Sequence, residues 1–474
     1  MKLCSPRGVF GSTFFIQAKP AAHSSVVVPF TVKLKFVGVP VAIKDNIDVQ
    51  GLPTTAACPA FSYQPAKDST AVARLRKAGA IVVGKTNLDQ FATGLVGVRS
   101  PYGIPRNSLN PELVPGGSSS GSAVAVGAGL VPLSLGTDTA GSGRVPAGLN
   151  NIVGLKPSLG LISTAGVLPA CRSLDCVSIF ALTTDDAWTA LAAMAGSDVN
   201  DPYSRAKPLG PVGSMAKGVK IGVPIPGQRL FFGDKDFAAH YDAAIARCVS
   251  LGAQIVEVDV EPLYETARLL YDGPWVAERY IVLKSLLASD PDAIHPVTKE
   301  ITLQGARQSA VDTFTALYKL EELRRVRDVM FRQVDALLLP TAPTAYTVAQ
   351  VEADPIKLNA NLGYYTNFVN FLDLSAIAVP TAAASASPSR TAPTSLLCTI
   401  RGETALSTNG PARPSSAASS CSPASTRRSR TCSSSPTTSP SPSASSGSVR
   451  AAVTAATTGS ARSSTSCIRR SSAV

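Results

Sequence analysis

A glycine- and serine-rich stretch between Pro115 and Asn151 is the part of this sequence best suited to chemistry. Its text, PGGSSSGSAVAVGAGLVPLSLGTDTAGSGRVPAGLNN, places two Gly/Ser turns around a small-residue helix and a short strand. Glycines at this density let backbone N–H groups approach a ligand closely and permit positive φ angles. A flexible linker would not be bracketed by apolar core segments, and a phosphate loop would need the GxxxxGK[ST] spacing. The stretch therefore indicates a catalytic or binding loop.

A serine nucleophile in this loop needs a base, and histidine is a poor candidate. No GxSxG elbow surrounds Ser142, which argues against a Ser-His-Asp triad. We expect surface or packing positions for the three histidines, His23, His240 and His295. Cys171 and Cys176 have no neighbouring histidine that could generate a thiolate, so we expect both cysteines to be structural.

A lysine can replace histidine as the base when burial or cationic neighbours favour its neutral amine. Lys44 is suited to this role because GVPVAIKDNID places it at the end of an apolar, strand-like run. A long side chain at that position would start from the interior. A solvent-facing lysine at a strand end is the commoner outcome for an isolated lysine, so the choice depends on motifs elsewhere in the chain.

The elements that must position these residues follow a regular order over residues 36–380. Short apolar runs predict strands at 80–84, 220–223, 253–258 and 336–339. Amphipathic or Ala-rich segments predict helices at 69–78, 185–195, 236–251 and 311–333. Alternation of strands and helices at this spacing predicts an α/β fold with a parallel or mostly parallel sheet that helices cover.

The two ends of the chain differ from this central region. Residues 1–35 form an irregular arm with no clear period. Residues 381–474 are rich in Ser, Thr, Ala, Pro and Arg, and they carry +9 of the formal net charge of +12. Such a segment cannot bury enough apolar surface to offset its ordering entropy, so we predict disorder. A basic tail and a reading-frame change both explain it, and the abrupt change after AIAVP at 376–380 favours the second.

Composition excludes several classes of protein. With 45% hydrophobic and 16% charged residues, the 474-residue chain is not wholly disordered. No apolar run approaches the roughly 18–20 residues of a membrane helix. The nine cysteines contain no CxxC pair, so we expect neither a disulfide framework nor a metal site. Because this cysteine usage suits a reducing compartment, we expect a cytoplasmic protein. The TRRSR cluster at 426–430 lacks interleaved aromatic residues, so no nucleic-acid partner is expected.

The motifs, taken in order, resemble the amidase signature family. GVPVAIKDN, GAIVVGKTNLDQFATG, PGGSSSGSA, LGTDTAGSGRVPA and VGLKPSLGLIS follow that family's order over residues 36–380. The resemblance implies a three-layer α/β/α fold with a mixed central sheet and a Ser-cisSer-Lys triad. Ser142 would attack an amide carbonyl, and Ser118, in a cis peptide, would relay its proton to a neutral Lys44. The implied oxyanion hole consists of backbone N–H groups of Thr139, Ala140, Gly141 and Ser142.

Within this family, several details are similar to allophanate hydrolases, which hydrolyse N-carboxyurea. They include NLDQFATGLVG, RSPYG at 99–103 and LYDGPWVAERY at 270–280. The resemblance implies that Tyr271 and Arg279 bind a small anionic substrate, with Gly117 as a further substrate-binding residue. A guanidinium suits a carboxylate, and a phenol can bond its carbonyl or N–H. Eight residues on one helix span slightly over two turns, so we expect both side chains on one face.

Other functions stay open. A general amidase and the glutaminase subunit of the tRNA-dependent amidotransferase share the motifs, although the usual Asp-Glu text of the latter is Asp89-Gln90 here. Nothing in 381–474 resembles the family's last sheet and helix elements, which raises the alternative of an inactive, truncated product. An RNA-binding protein that uses its basic tail is a further alternative. For the amidase we expect a small-molecule amide as partner, no cofactor, and a homodimer as one option.

Overall fold

Ten strands form one mixed β-sheet in the order β2-β1-β3-β5-β4-β9-β10-β8-β6-β7. The computed structural model describes residues 36–210, 217–381 and 395–401. The strands are β1 Pro40–Lys44, β2 Ile81–Thr86, β3 Leu133–Asp138, β4 Val153–Lys156, β5 Cys176–Ala181, β6 Lys220–Pro224, β7 Gln254–Val258, β8 Ala336–Pro340, β9 Leu374–Pro380 and β10 Ser395–Arg401. The four strands predicted from apolar runs correspond to β2, β6, β7 and β8.

Twelve α-helices occur in the described ranges. They are α1 Thr70–Lys77, α2 Ser120–Gly127, α3 Val145–Leu149, α4 Thr184–Met194, α5 Lys235–Ser250, α6 Glu261–Asp272, α7 Val276–Ser289, α8 Pro296–Leu303, α9 Ala310–Met330, α10 Val348–Ala353, α11 Lys357–Leu362 and α12 Phe368–Phe371. The four predicted helices correspond to α1, α4, α5 and α9. None of the helices in these ranges is long and apolar enough to cross a membrane.

Strand directions differ between the ends and the centre of the sheet. β1 runs parallel to β2 and β3, and β6 runs parallel to β7 and β8. All pairings between β3 and β8 through β5, β4, β9 and β10 are antiparallel. The expectation of a mostly parallel sheet is wrong for the centre, because an apolar run carries no information on strand direction. The mixed sheet that the family resemblance implies is confirmed.

Helices cover both faces of the sheet. Along β5, Val177 and Ile179 pack in one hydrophobic cluster with Leu191 of α4. Phe180, whose side chain points to the opposite face, packs in another cluster with Val126 of α2. A strand buried on both faces needs cover on both sides, and β5 is buried along its whole length. The result is the expected three-layer α/β/α arrangement.

The sheet extends beyond residue 380, the predicted end of the domain. β10 pairs antiparallel with β9 on one side and with β8 on the other. Without β10, each neighbour would present an unpaired edge in the middle of the sheet. The expectation that residues 381–474 contribute no sheet element is corrected for 395–401, where SLLCTIR is a short apolar run within polar, low-complexity text. The predicted arm at 1–35 and the predicted disorder of 382–394 and 402–474 lie outside the described residues.

Candidate active site

Lys44, the last residue of β1, lies at the centre of the site. Its side chain is fully buried, and Nζ lies 2.8 Å from Ser118 Oγ and 2.8 Å from Thr137 Oγ1. Because β1 lies between β2 and β3, a side chain at its end projects into the interior. Burial lowers the pKa of Lys44 to about 7, although three nearby aspartates oppose this shift. A large fraction of neutral amine is therefore present at physiological pH.

Ser118 lies in the first Gly/Ser turn, just before α2. The Gly117–Ser118 peptide bond is cis, and the Ser118 side chain is fully buried. Ser119 fastens this turn to β3, because its hydroxyl donates to Thr137 O at 3.0 Å and accepts from Thr137 N–H at 3.3 Å. The turn thus holds Ser118 next to Lys44.

Close packing explains why position 117 is glycine. A Cβ atom on Gly117 would lie 2.0 Å from Asp89 Oδ2 and 2.6 Å from Gly97 N. Asp89 cannot move away easily, since its carboxylate accepts from Gly97 N–H and from Arg99 N–H, each at 2.9 Å. Gly117 N–H in turn donates to Leu95 O at 2.8 Å. The sequence-predicted substrate residue Gly117 therefore also has a packing role.

Ser142 lies in the second Gly/Ser turn, between β3 and α3, and is almost completely buried. The Asp138 carboxylate organises this turn, because it accepts from Gly141 N–H and Gly143 N–H, both at 3.0 Å. Arg144 pairs with the same carboxylate through Nε at 2.8 Å and Nη2 at 2.9 Å, with neither side chain exposed. Burial acts to raise the pKa of Asp138, but Arg144, together with Lys156 and the Gly143 N–H, outweighs burial and the pKa is lowered. Asp138 is therefore an ionised support of the turn.

The backbone N–H groups around Ser142 fall into two sets. Gly141 N–H already donates to Asp138. The N–H groups of Thr139, Ala140 and Ser142 have no hydrogen-bond acceptor within the described part of the chain. Buried donors without partners are costly, so these three N–H groups favour a ligand that can accept hydrogen bonds from them.

Tyr271 and Arg279 do not share one helix. α6 ends at Asp272 and α7 begins at Val276, with Gly273 and Pro274 between them. The expectation of a common helical face is therefore wrong, because Gly-Pro interrupts a helix. Burial alone would lower the pKa of Arg279, but nearby groups, Cys171 first and Tyr271 second, raise it. Tyr271 and Arg279 therefore lie within electrostatic reach of each other.

Arg279 is buried with one edge of its guanidinium in use. Nη1 donates to Thr93 Oγ1 at 2.9 Å and to Ala92 O at 3.4 Å. Nε is completely buried and without a partner, and Nη2 likewise makes no hydrogen bond to the described residues. Nε and Nη2 share one edge, which is the geometry that a carboxylate matches with two parallel hydrogen bonds. The arrangement suits an anionic ligand.

Among the described residues, no hydrogen bond joins the remaining nucleophile and base candidates to Ser142, Ser118 or Lys44. Cys171 and Cys176 are buried, and burial raises their pKa to about 12 and about 11, so both are thiols at neutral pH. His240 is exposed on α5, and the half-buried His295 makes no side-chain hydrogen bond to either Gly/Ser turn. His23 lies outside the described residues. The described residues also contain no cluster of metal-ligating side chains.

Three site residues were not identified from the sequence. Thr137 bonds Lys44, and Asp138 holds the turn of Ser142. Asp175 accepts from Thr139 Oγ1 at 2.5 Å, and burial raises its pKa to about 6. Thr137 and Asp138 lie within the motif LGTDTAGSGRVPA itself, so their position in the motif could have identified them as site residues. Asp175 immediately precedes β5, and only the pairing of β3 with β5 places it there.

The fold and the family comparison together define a class of C–N hydrolase. The model of the Amidase family matches residues 16–398, which extends beyond residue 380 as β10 does. The chain belongs to the amidase family, and it is an amidohydrolase.

Three relatives show where within the family its similarities lie. The chain is 50% identical over 353 residues to urea amidolyase of Saccharomyces cerevisiae, covering 73% of this chain and 19% of the relative. It is 36% identical over 375 residues to a glutamyl-tRNA(Gln) amidotransferase subunit of Symbiobacterium thermophilum, covering 72% and 76%. The solved Kluyveromyces lactis allophanate hydrolase matches with a TM-score of 0.75 and 46% identity, covering 79% of this chain and 61% of that one. The chain spans about a fifth of the length of the urea amidolyases it matches.

Proposed function

We propose that this amidohydrolase cleaves allophanate (urea-1-carboxylate) and releases ammonia, as a step of urea degradation. The observation that carries the proposal is the buried Arg279, whose Nε and Nη2 are available to a carboxylate. Such a group disfavours a neutral amide, because an unpaired buried cation gains most from an anionic ligand. Similarity to the Kluyveromyces lactis allophanate hydrolase supports the same substrate.

The catalytic groups in this proposal are Ser142, Ser118 and Lys44. Ser142 Oγ attacks the carboxamide carbon and passes its proton to Ser118, whose own proton moves to the neutral amine of Lys44. The hydrogen bond of 2.8 Å between Lys44 Nζ and Ser118 Oγ supports the second transfer. A hydroxyl both donates and accepts, so Ser118 can couple the amine to the nucleophile.

The tetrahedral intermediate then needs a proton donor and an anion site. Thr139, Ala140 and Ser142 supply free backbone N–H groups for the oxyanion, while Gly141 holds the turn through Asp138. The protonated Lys44 returns its proton through Ser118 to the leaving nitrogen, and ammonia departs. Water hydrolyses the acyl ester on Ser142 by the same relay, which restores the enzyme.

Substrate binding in this proposal uses three residues. Arg279 pairs with the carboxylate, and the Tyr271 phenol bonds the substrate carbonyl or N–H. Gly117 contributes a position without a side chain beside Ser118. A small, planar anion is the ligand that such a buried guanidinium fits.

Ammonia release from allophanate tests the proposal. The purified chain should hydrolyse allophanate with a kcat/KM far above that for acetamide, and Ser142→Ala should abolish this activity. Hydrolysis of aryl and aliphatic amides with none of allophanate would refute the substrate assignment and leave a general amidase.

A glutaminase is the second candidate, because the amidotransferase relative matches over 76% of its own length. Glutamine hydrolysis that appears only with partner subunits would favour it. Glutamine also carries a carboxylate that Arg279 could pair with, so the dependence of glutamine hydrolysis on partner subunits, and not Arg279, separates the two candidates.

A further inference from the structure

A left-handed turn lies directly against Arg279. Phe91 and Ala92 have φ angles of 52° and 54°, both are buried, and neither is glycine. Two consecutive non-glycine residues in this region store strain and persist only when the surroundings impose it. Here Phe91 N–H donates to Ala56 O at 3.0 Å, and Ala92 N–H donates to Asp89 O at 2.8 Å. The fold therefore maintains an unfavourable conformation at this point.

The turn directs two oxygen atoms at the guanidinium of Arg279. Nη1 of Arg279 donates to Thr93 Oγ1 at 2.9 Å and to Ala92 O at 3.4 Å. The Thr93 hydroxyl donates its own proton to Phe91 O at 3.3 Å, so its lone pairs remain for Arg279. Thr93 is only 1% exposed, so water cannot replace it as the acceptor.

A second buried arginine holds the same turn from its backbone side. Arg99 Nη1 donates to Thr93 O at 3.0 Å, and Nη2 donates to Pro355 O at 2.7 Å. Thr93 therefore lies between two guanidinium groups. Arg99 holds its backbone carbonyl, and Arg279 binds its hydroxyl. Arg99 is the first residue of RSPYG, one of the segments that carry the family resemblance.

We propose that Thr93 is a positioning residue that determines selectivity for anionic amides. By binding Nη1, its hydroxyl fixes the rotation of the Arg279 guanidinium plane and leaves the Nε and Nη2 edge for the substrate carboxylate. A bidentate pair depends on this orientation, whereas a neutral amide gains nothing from it. The inference rests on the proposed function, because it assigns Arg279 to the carboxylate.

Two probes of equal size separate charge from shape. Malonamate has the carboxylate of allophanate with CH2 in place of NH, and malonamide is its neutral counterpart. We expect Thr93→Val to lower kcat/KM for allophanate and malonamate about ten- to thirtyfold, mainly through KM, since a hydrogen bond to a charged group is lost. The loss for malonamide should stay below about twofold, and Thr93→Ser should restore selectivity. Thr302→Val is the matched control, because Thr302 is also buried but its hydroxyl has no partner in the described part of the chain.

Binding to the Ser142→Ala protein gives a readout that does not depend on turnover. Thr93→Val should weaken malonamate binding about tenfold there, but should have no further effect once Arg279 is replaced by Gln, because the two changes remove one interaction. Equal losses for malonamate and malonamide, or additive losses with Arg279→Gln, would overturn the positioning role. Absence of malonamate binding and allophanate hydrolysis in the parent protein would instead refute the proposed function.

Discussion

Lys44 Nζ lies 2.8 Å from Ser118 Oγ, although 74 residues separate them in the chain. The pair forms because β1 ends where the first Gly/Ser turn returns to the sheet, and Ser119 fastens that turn to β3. Both side chains are fully buried, so the amine makes its hydrogen bonds to hydroxyls instead of water. A lysine in this setting can act as a base.

Replacement of the two serines should remove activity without unfolding the protein. We expect Ser142→Ala and Ser118→Ala each to lower kcat on the order of 10⁴-fold or more, because the first removes the nucleophile and the second interrupts the proton relay. Ammonia release measures the loss, and circular dichroism checks the fold. Ser120→Ala is the control, since Ser120 is buried in the same turn region as Ser118 but its hydroxyl has no partner in the described ranges. Comparable loss in Ser120→Ala would contradict the assignment.

Activity should rise with pH through the pKa of Lys44. That pKa is lowered to about 7, so the amine is mostly protonated at pH 6 and mostly neutral at pH 8. Only the neutral form accepts a proton, and kcat/KM at pH 6 should be about tenfold below its plateau. A pH profile of kcat/KM checks this, with a circular dichroism control for unfolding at each pH. A profile that falls over the same range would show that a different group is the base.

Gly117→Ala should destabilise the protein. The added Cβ would meet the Asp89 carboxylate and Gly97 N at distances far below van der Waals contact. Because both neighbours are held by backbone hydrogen bonds, we expect a loss of about 1–3 kcal/mol in the free energy of unfolding. Urea denaturation measures it. Gly84→Ala serves as the control, because nothing lies within 4 Å of a Cβ at that position; similar losses in both variants would refute the packing explanation.

Removal of β10 should abolish cooperative folding. A chain that stops after residue 394 lacks the strand between β9 and β8, which leaves backbone donors and acceptors of both unpaired inside the sheet. A chain that stops after residue 412 keeps β10 and should unfold in one transition. Thermal unfolding and size-exclusion chromatography distinguish them. A monomeric, cooperatively folding protein from the shorter chain would contradict the role of β10.

Sequence reasoning was most successful where chemistry and local pattern coincide. The motifs that accompany Lys44 favoured a buried amine over a solvent-facing lysine at a strand end, and periodic segments predicted α1, α4, α5 and α9. It failed on strand direction in the centre of the sheet, since direction depends on which strands meet. The break between α6 and α7 was readable in the text, because Gly273-Pro274 lies between Tyr271 and Arg279.

Contacts between distant segments were beyond sequence reasoning. Thr93 meets Arg279 across 186 residues, and no local pattern distinguishes this threonine from an ordinary polar residue. Asp175 reaches Thr139 only through the pairing of β3 with β5. The apolar run of β10 was not recognised, because the polar residues on both sides of it determine the average composition of the segment 381–474. These features depend on three-dimensional proximity.

The central position of β10 has a consequence for synthesis of the chain. Domains generally begin to fold from the N-terminal side while the ribosome still extends them. In this protein β8 and β9 are synthesised before β10, the strand that pairs with both. Until β10 is added, the edges of β8 and β9 that pair with it have no hydrogen-bond partner. Open edges of this kind promote aggregation, and chaperones protect such nascent chains. The site of Lys44 and Ser118 is encoded early, but the sheet that supports it closes only when residue 401 has been added.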